Sequence, residues 1–251
     1  MESAAATRLP SLLSSYHSLW PDVNLAFSIG TSGSLIDDVI DGRLDCAFVA
    51  IAHAETCASS NFALNARGLQ HTHAYSEELL LVVPPNHSPV TRPKDLKLAT
   101  FAVFAPGCTY RNVLERWLAQ SERPPGDWHA MEQASYHAIL ASVAAGSCFA
   151  LCPRSILDLQ CDPMDVRTHA IAAIDTHLVS RASYDSAAFD ALRHLVIPDR
   201  TALARTTGRQ DKDRSDSNKE NIYFAGCAIG FAPCRGDARH PAPSLTYRVR
   251  T

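Results

Sequence analysis

"LAFSIGTSGSLIDDVIDGRLDCAFVAI", Leu25 to Ile51, is the stretch on which the fold turns. It opens with a short apolar run, part of a strand near Asn24 to Ile29, and passes through the Gly- and hydroxyl-rich turn "GTSGS", Gly30 to Ser34. Leu35, Ile36, Val39 and Ile40 then recur at helical spacing, which predicts a helix from Ser34 to Asp41 with Gly42 suited to its C-terminal cap. A second strand follows at Asp45 to Ile51. Strand, turn, helix and strand in that order predict a parallel βαβ unit. A turn that closes a strand and opens a helix leaves free N–H groups and a partial positive charge at the carboxyl edge of the sheet, where ligands bind outside it.

Upstream, Leu9, Leu12, Leu13, Tyr16 and Leu19 give a core-facing helix that Pro21 stops at Trp20. Downstream, residues 52 to 66 have no clear period and are read as a loop. "LQHTHAYSEELLLVVPPNHSPV", Leu69 to Val90, reads as two extended pieces closed by Pro84 and Pro85, a lobe boundary. A second unit repeats the device, with a strand at Ala99 to Phe104, the turn "APGCT" and a helix at Tyr110 to Gln120. A strand at Trp128 to Glu132, a helix at Tyr136 to Ala145 and the strand "CFALC" come next. Extended segments at Val166 to Ile171 and Thr176 to Arg181 lead to a helix at Ala187 to Val196. The fold class predicted is α/β with mostly parallel sheets.

At 251 residues and 46% hydrophobic, the chain can bury a sizeable core. Its net charge of −3 is uneven. From Asp199 onward there are 10 of the 23 Lys+Arg and 6 of the 26 Asp+Glu, a net of +4, which leaves −7 on residues 1 to 198. An acidic body is a poor surface for DNA phosphates. The eight Cys fall singly inside apolar runs, and Cys148 and Cys152 are not joined by a second pair at zinc-ligand spacing, so neither a disulfide framework nor a metal is expected. No apolar run is long enough for a membrane span and no secretion signal opens the sequence, which makes the cytoplasm the expected compartment and the membrane no partner.

Four stretches in order carry a resemblance to a known family: "LPSLLSSYHSLWPDVNLAFSIGTSGSLIDDVIDGRLDCAFVA", "EELLLVVPPNHS", "GCTYRNVLERWL" and "ILASVAAGSCFALCPRSIL". Together they resemble the effector-binding domain of LysR-type transcriptional regulators, over roughly Ser3 to Val196. The resemblance implies a two-lobed fold similar to type II periplasmic binding proteins, with a small-molecule effector in the cleft between lobes. It places lobe I at about 3–83 and 176–196, lobe II at about 85–170, and the return crossing near Ile171. It also implies a homodimer, and DNA as a partner only through a helix-turn-helix domain that this sequence does not contain. Residues 199 to 251 resemble nothing in the family and are expected to be largely disordered. A solute-binding protein of the same fold and a nonfunctional truncated gene product are the alternatives.

For the effector, the first turn offers Thr31, Ser32 and Gly33, and the second offers Cys108 and Thr109. Ser135, where a strand gives way to the helix carrying Ile139, Leu140 and Val143, is a further candidate. Each hydroxyl has a plainer role open to it as a helix N-cap. Cys108, near a helix N-terminus, is expected to have a lowered pKa and supplies an alternative reading as a redox sensor. No enzyme is predicted and no cofactor. A nucleophile elbow would require Gly where Ser34 stands, and no Lys follows the turn as a phosphate loop demands.

Overall fold

The structure, a computed structural model, describes residues 1–52, 64–161, 164–197 and 221–225. Helices α1 (Glu2–Thr7) and α2 (Leu9–Leu19) lead into β1 (Asn24–Ser28), α3 (Ser32–Ile40), β2 (Cys46–Ala52) and the long strand β3 (Leu69–Val83). Next come β4 (Thr100–Val103), α4 (Thr109–Leu118), β5 (His129–Glu132), α5 (Tyr136–Ala144), β6 (Phe149–Pro153) and α6 (Arg154–Asp158). A second long strand, β7 (Arg167–Arg181), is followed by α7 (Ala187–Val196) and β8 (Asn221–Ala225).

The strands hydrogen-bond in the order β1-β8-β2-β7-β3-β6-β4-β5. Direction divides this order into three parts. β1, β8 and β2 are mutually parallel, as are β6, β4 and β5. Between these groups β7 and β3 run antiparallel to each other and to their outer neighbours. The sheet is therefore mixed, and the parallel character expected from the βα units holds within each group.

Both long strands change burial along their length. In β3, residues 70 to 76 are half-buried or exposed, whereas Leu79 to Val83 are all buried, the continuous apolar run of a strand covered on both faces. In β7 the order is the same, with Ile174 to Ser180 buried. Each strand thus starts at a partly open surface and ends inside the opposite group. The expected pairs of extended pieces are single 15-residue strands. The chain passes between the groups inside β3, where the pairing register shifts between His73 and Tyr75, and Pro84 follows the strand's end.

The larger core cluster holds Phe149, Leu114, Ile139, Leu140 and Val143 with Leu79 and Leu81, and extends to Leu9 and Tyr16 of α2. Tyr16 is wholly buried and its hydroxyl donates to Ala188 O at 3.0 Å, joining α2 to the start of α7. Leu19, expected in the core, is exposed at the helix's last position. A second cluster packs Leu35 and Val39 of α3 on Ala47, Val49, Leu69 and Val179. The helix ends at Ile40 with Asp41 as its C-cap, and Gly42 (φ +75°) makes the left-handed exit that a side chain would resist. Of the loop expected at 52 to 66, residues 53–63 lie outside the described residues, while Ala52 ends β2 and residues 64–66 are helical rather than irregular. The tail beyond 197 also lies outside them, except for the strand Asn221–Ala225.

Candidate functional site

The loops after β1 and β4 meet. Gly33 N–H donates to Gly107 O at 3.2 Å, so the two turns are in direct backbone contact. Gly107 has φ +89°, and a Cβ there would lie 2.9 Å from Thr31 Oγ1. Only glycine allows this approach.

Ala50 of β2 is held by both turns at once. Its N–H donates to Ser32 Oγ at 3.2 Å, and its carbonyl accepts from Thr109 Oγ1 at 2.9 Å. Ser32 and Thr109 are themselves buried. Each hydroxyl has one role used and one left over: Ser32 still has its proton to donate, and Thr109 oxygen can still accept. Thr31, not Ser32 or Ser34, caps α3, accepting from Ser34 N–H at 3.2 Å. Ser135 caps α5 by accepting from Ala138 N–H at 3.2 Å. The capping alternative therefore describes Thr31 and Ser135, while Ser32 and Thr109 are bound to the neighbouring strand.

These residues surround a cavity of about 550 Å³, within the range that small-molecule sites occupy. Thr31, Ser32, Cys108, Thr109 and Ser135 line it, and Gly33 lies beside it. The sequence reading missed the other contributors. Met1, Glu2 and Ser3 enter from the start of α1, a helix too short for its period to be visible. Tyr110 and Tyr136 also line it, and burial lifts both phenols well above their ordinary pKa. Ser3 Oγ and Tyr110 OH are 3.3 Å apart, and Tyr110 donates to Glu77 Oε2 at 3.3 Å. The buried Glu77 also accepts from Ser155 Oγ.

Cys108 departs from expectation. Burial raises its thiol pKa, outweighing the N–H groups of Arg111 and Tyr110 that pull it down at the start of α4. A thiol above its ordinary range at neutral pH is a poor nucleophile. The structure thus gives no support to redox sensing at this position. A thiol-reactive disulfide reagent at pH 8 is expected to label exposed Cys161 before Cys108. Mass-spectrometric mapping that found Cys108 modified first would reverse this assignment. Among the described residues there is no His/Cys/Asp/Glu group arranged to hold a metal ion, and no helix is long and apolar enough to cross a membrane.

The family model "LysR substrate binding domain" matches residues 1–198, and the chain belongs to that family. Among curated proteins it is 32% identical over 154 residues to the HTH-type transcriptional regulator SoxR of Arthrobacter sp. (strain TE1826), covering 61% of this chain and 47% of that protein. It is 30% identical over 174 residues to the HTH-type transcriptional regulator GltR of Bacillus subtilis (strain 168), covering 68% and 54%. The chain thus spans about half the length of these regulators. Among solved structures, the sulfate-bound regulatory domain of an OxyR2 variant from Vibrio vulnificus aligns with a TM-score of 0.59 at 18% identity, covering 77% of this chain and 90% of that one. The effector-binding domain of QuiR in complex with shikimate gives the same TM-score and coverage at 16% identity. At these identities the structural likeness establishes the two-lobed, periplasmic-binding-protein-like fold.

Proposed function

We propose that this chain is the effector-sensing part of a LysR-type transcriptional regulator, binding a small polar metabolite in the cavity between two lobes and acting in the cytoplasm without catalysing a reaction. The observation that carries the proposal is the joining of both turns to one residue, Ala50, at the cavity wall. A ligand that takes up the remaining capacity of Ser32 and Thr109 acts on the clip between the two parallel strand groups, and so on their relative position. Lobe I, in this reading, comprises about 3–83 and 176–196, and lobe II about 85–170. In an intact regulator the change passes to a homodimer and to DNA through a separate helix-turn-helix. The relatives' being regulators supports this reading over that of an enzyme.

The test is a thermal-shift screen of small organic acids, amino acids and amines, followed by calorimetry on each hit, since ligand binding to the native state raises stability by mass action. Thr109→Val leaves the Ala50 carbonyl without its donor and is expected to cost about 1–3 kcal/mol of stability. The same substitution, with Ser32→Ala, is expected to weaken the confirmed ligand. A hit whose affinity both variants leave unchanged moves the site elsewhere. Turnover of any hit contradicts the non-enzymatic reading.

A further inference from the structure

We infer that Glu2 sets the chemical class of the effector, selecting a ligand that presents an ammonium or guanidinium group to the α5 end of the cavity. This rests on the effector-binding reading above and narrows it.

Glu2 lies at the start of α1 and lines the cavity beside Tyr136. One carboxyl oxygen, Oε1, accepts from Tyr136 N–H at 3.2 Å. The other, Oε2, is buried and has no hydrogen-bond partner. A buried carboxyl oxygen left without a donor carries a desolvation cost that a donor on the ligand removes. The first free N–H of α5, a natural place for an anionic ligand, is already taken by this resident carboxyl.

The rest of the lining agrees. No Lys or Arg lines the cavity among the described residues, so apart from His137 and the Met1 amino group, which lie beside Glu2 itself, a dicarboxylate would meet no basic group there. Phe104 and Tyr136, with ring centroids 4.9 Å apart, belong to the same cavity lining as Glu2. Aromatic faces next to a carboxylate attract a partly desolvated cation. Carboxylate, aromatic pair and absent basic side chains thus favour the same ligand class.

Burial raises the Glu2 pKa, while the Tyr136 N–H, His137 and the amino group at Met1 act in the other direction. Of the other groups around it, Tyr110, Tyr136, Cys108 and Cys152 are all pushed upward, chiefly by burial, and so stay neutral, and Glu77 adds a like charge behind them. Affinity for a cation is therefore full above the Glu2 pKa and falls as the pH drops through it.

The experiment titrates the full chain with three probes of equal length: 1,4-diaminobutane, butane-1,4-diol and butane-1,4-dioate. The diamine is expected to raise the melting temperature and the other two to leave it unchanged. Glu2→Gln keeps an oxygen to accept from Tyr136 N–H, so the unliganded melting temperature holds, while diamine affinity falls tenfold or more. The wild type loses diamine affinity as the pH falls through the raised Glu2 pKa, and Glu2→Gln loses that step. Preferential binding of the dioate, diamine affinity unchanged in Glu2→Gln, or no response to the diamine each overturns the assignment. The effector reading itself is judged separately: if the dioate binds and Thr109→Val weakens it, effector binding stands while the role of Glu2 falls.

Discussion

Phe149→Ala is expected to lower the unfolding free energy by about 3–5 kcal/mol, the range for deleting a buried ring. Phe149 is fully buried at the start of β6, stacked on Phe101 of β4 with centroids 6.0 Å apart and edge-on to Trp128 at 5.9 Å. It therefore joins neighbouring parallel strands and the entry to β5. The ring cannot be replaced by collapse, because β4 and β6 are tied by parallel pairing at Phe101–Phe149 and Ala102–Ala150. Phe149→Leu keeps most of the volume and is expected to cost less than half as much. Urea unfolding at constant m measures both values. A loss below about 1 kcal/mol for the alanine variant would show that the cluster repacks, contrary to the close packing that makes interiors sensitive to volume.

Arg181→Ala ranks next, with an expected loss of about 3 kcal/mol. Its Nη1 donates to Val39 O at 2.7 Å and to Leu44 O at 2.8 Å, satisfying a carbonyl in the last turn of α3 and one in the turn that follows. Hydrogen bonds with a charged partner contribute about 1.5–3 kcal/mol each. The 3.7 Å approach to Asp45 adds little, since the arginine side chain remains a quarter exposed. Arg181→Lys is expected to recover less than half of the loss, because a lysine side chain ends one atom short of the Nη1 position from which both carbonyls are reached. Hydrogen exchange gives the local readout: the Gly42, Arg43 and Leu44 amides, bonded to Val39 and Asp38, lose protection first. Loss of protection spread evenly over the chain would contradict this local role.

Periodicity alone made the βα units legible. Leu35 and Val39 are buried, as their helical spacing requires, and Leu114, Ile139 and Leu140 lie in the larger core. The antiparallel pairing of β3 with β7 was not readable, since an apolar run such as Leu79–Val83 does not declare the direction of its partner. The site divides in the same way. Gly30–Ser34 and Gly107–Thr109 announce themselves by turn chemistry, but the bonds from Ser32 and Thr109 to Ala50 depend on a meeting of distant segments. Glu2 carried no signal, because a single acidic residue at the start of a six-residue helix reads as an ordinary first-turn charge. For Cys108 the local rule pointed the wrong way, since burial exceeded the helix-end effect. Ser135 followed its local rule and caps α5.

β8 lies beyond residue 198, where the family match stops, yet it occupies an interior position of the sheet. Among the described residues β1 pairs with β8 and with no other strand, and Asn24 stands opposite Asn221, 197 positions later. This fixes an order of events on the ribosome. At about 5–20 residues per second, β1 leaves the exit tunnel roughly 10–40 s before its partner. For that interval it is an unpaired edge, the kind of strand that other chains can capture. β1 itself therefore joins the sheet last, whereas the turn that follows it is held to Ala50 and Gly107 by partners synthesised long before β8.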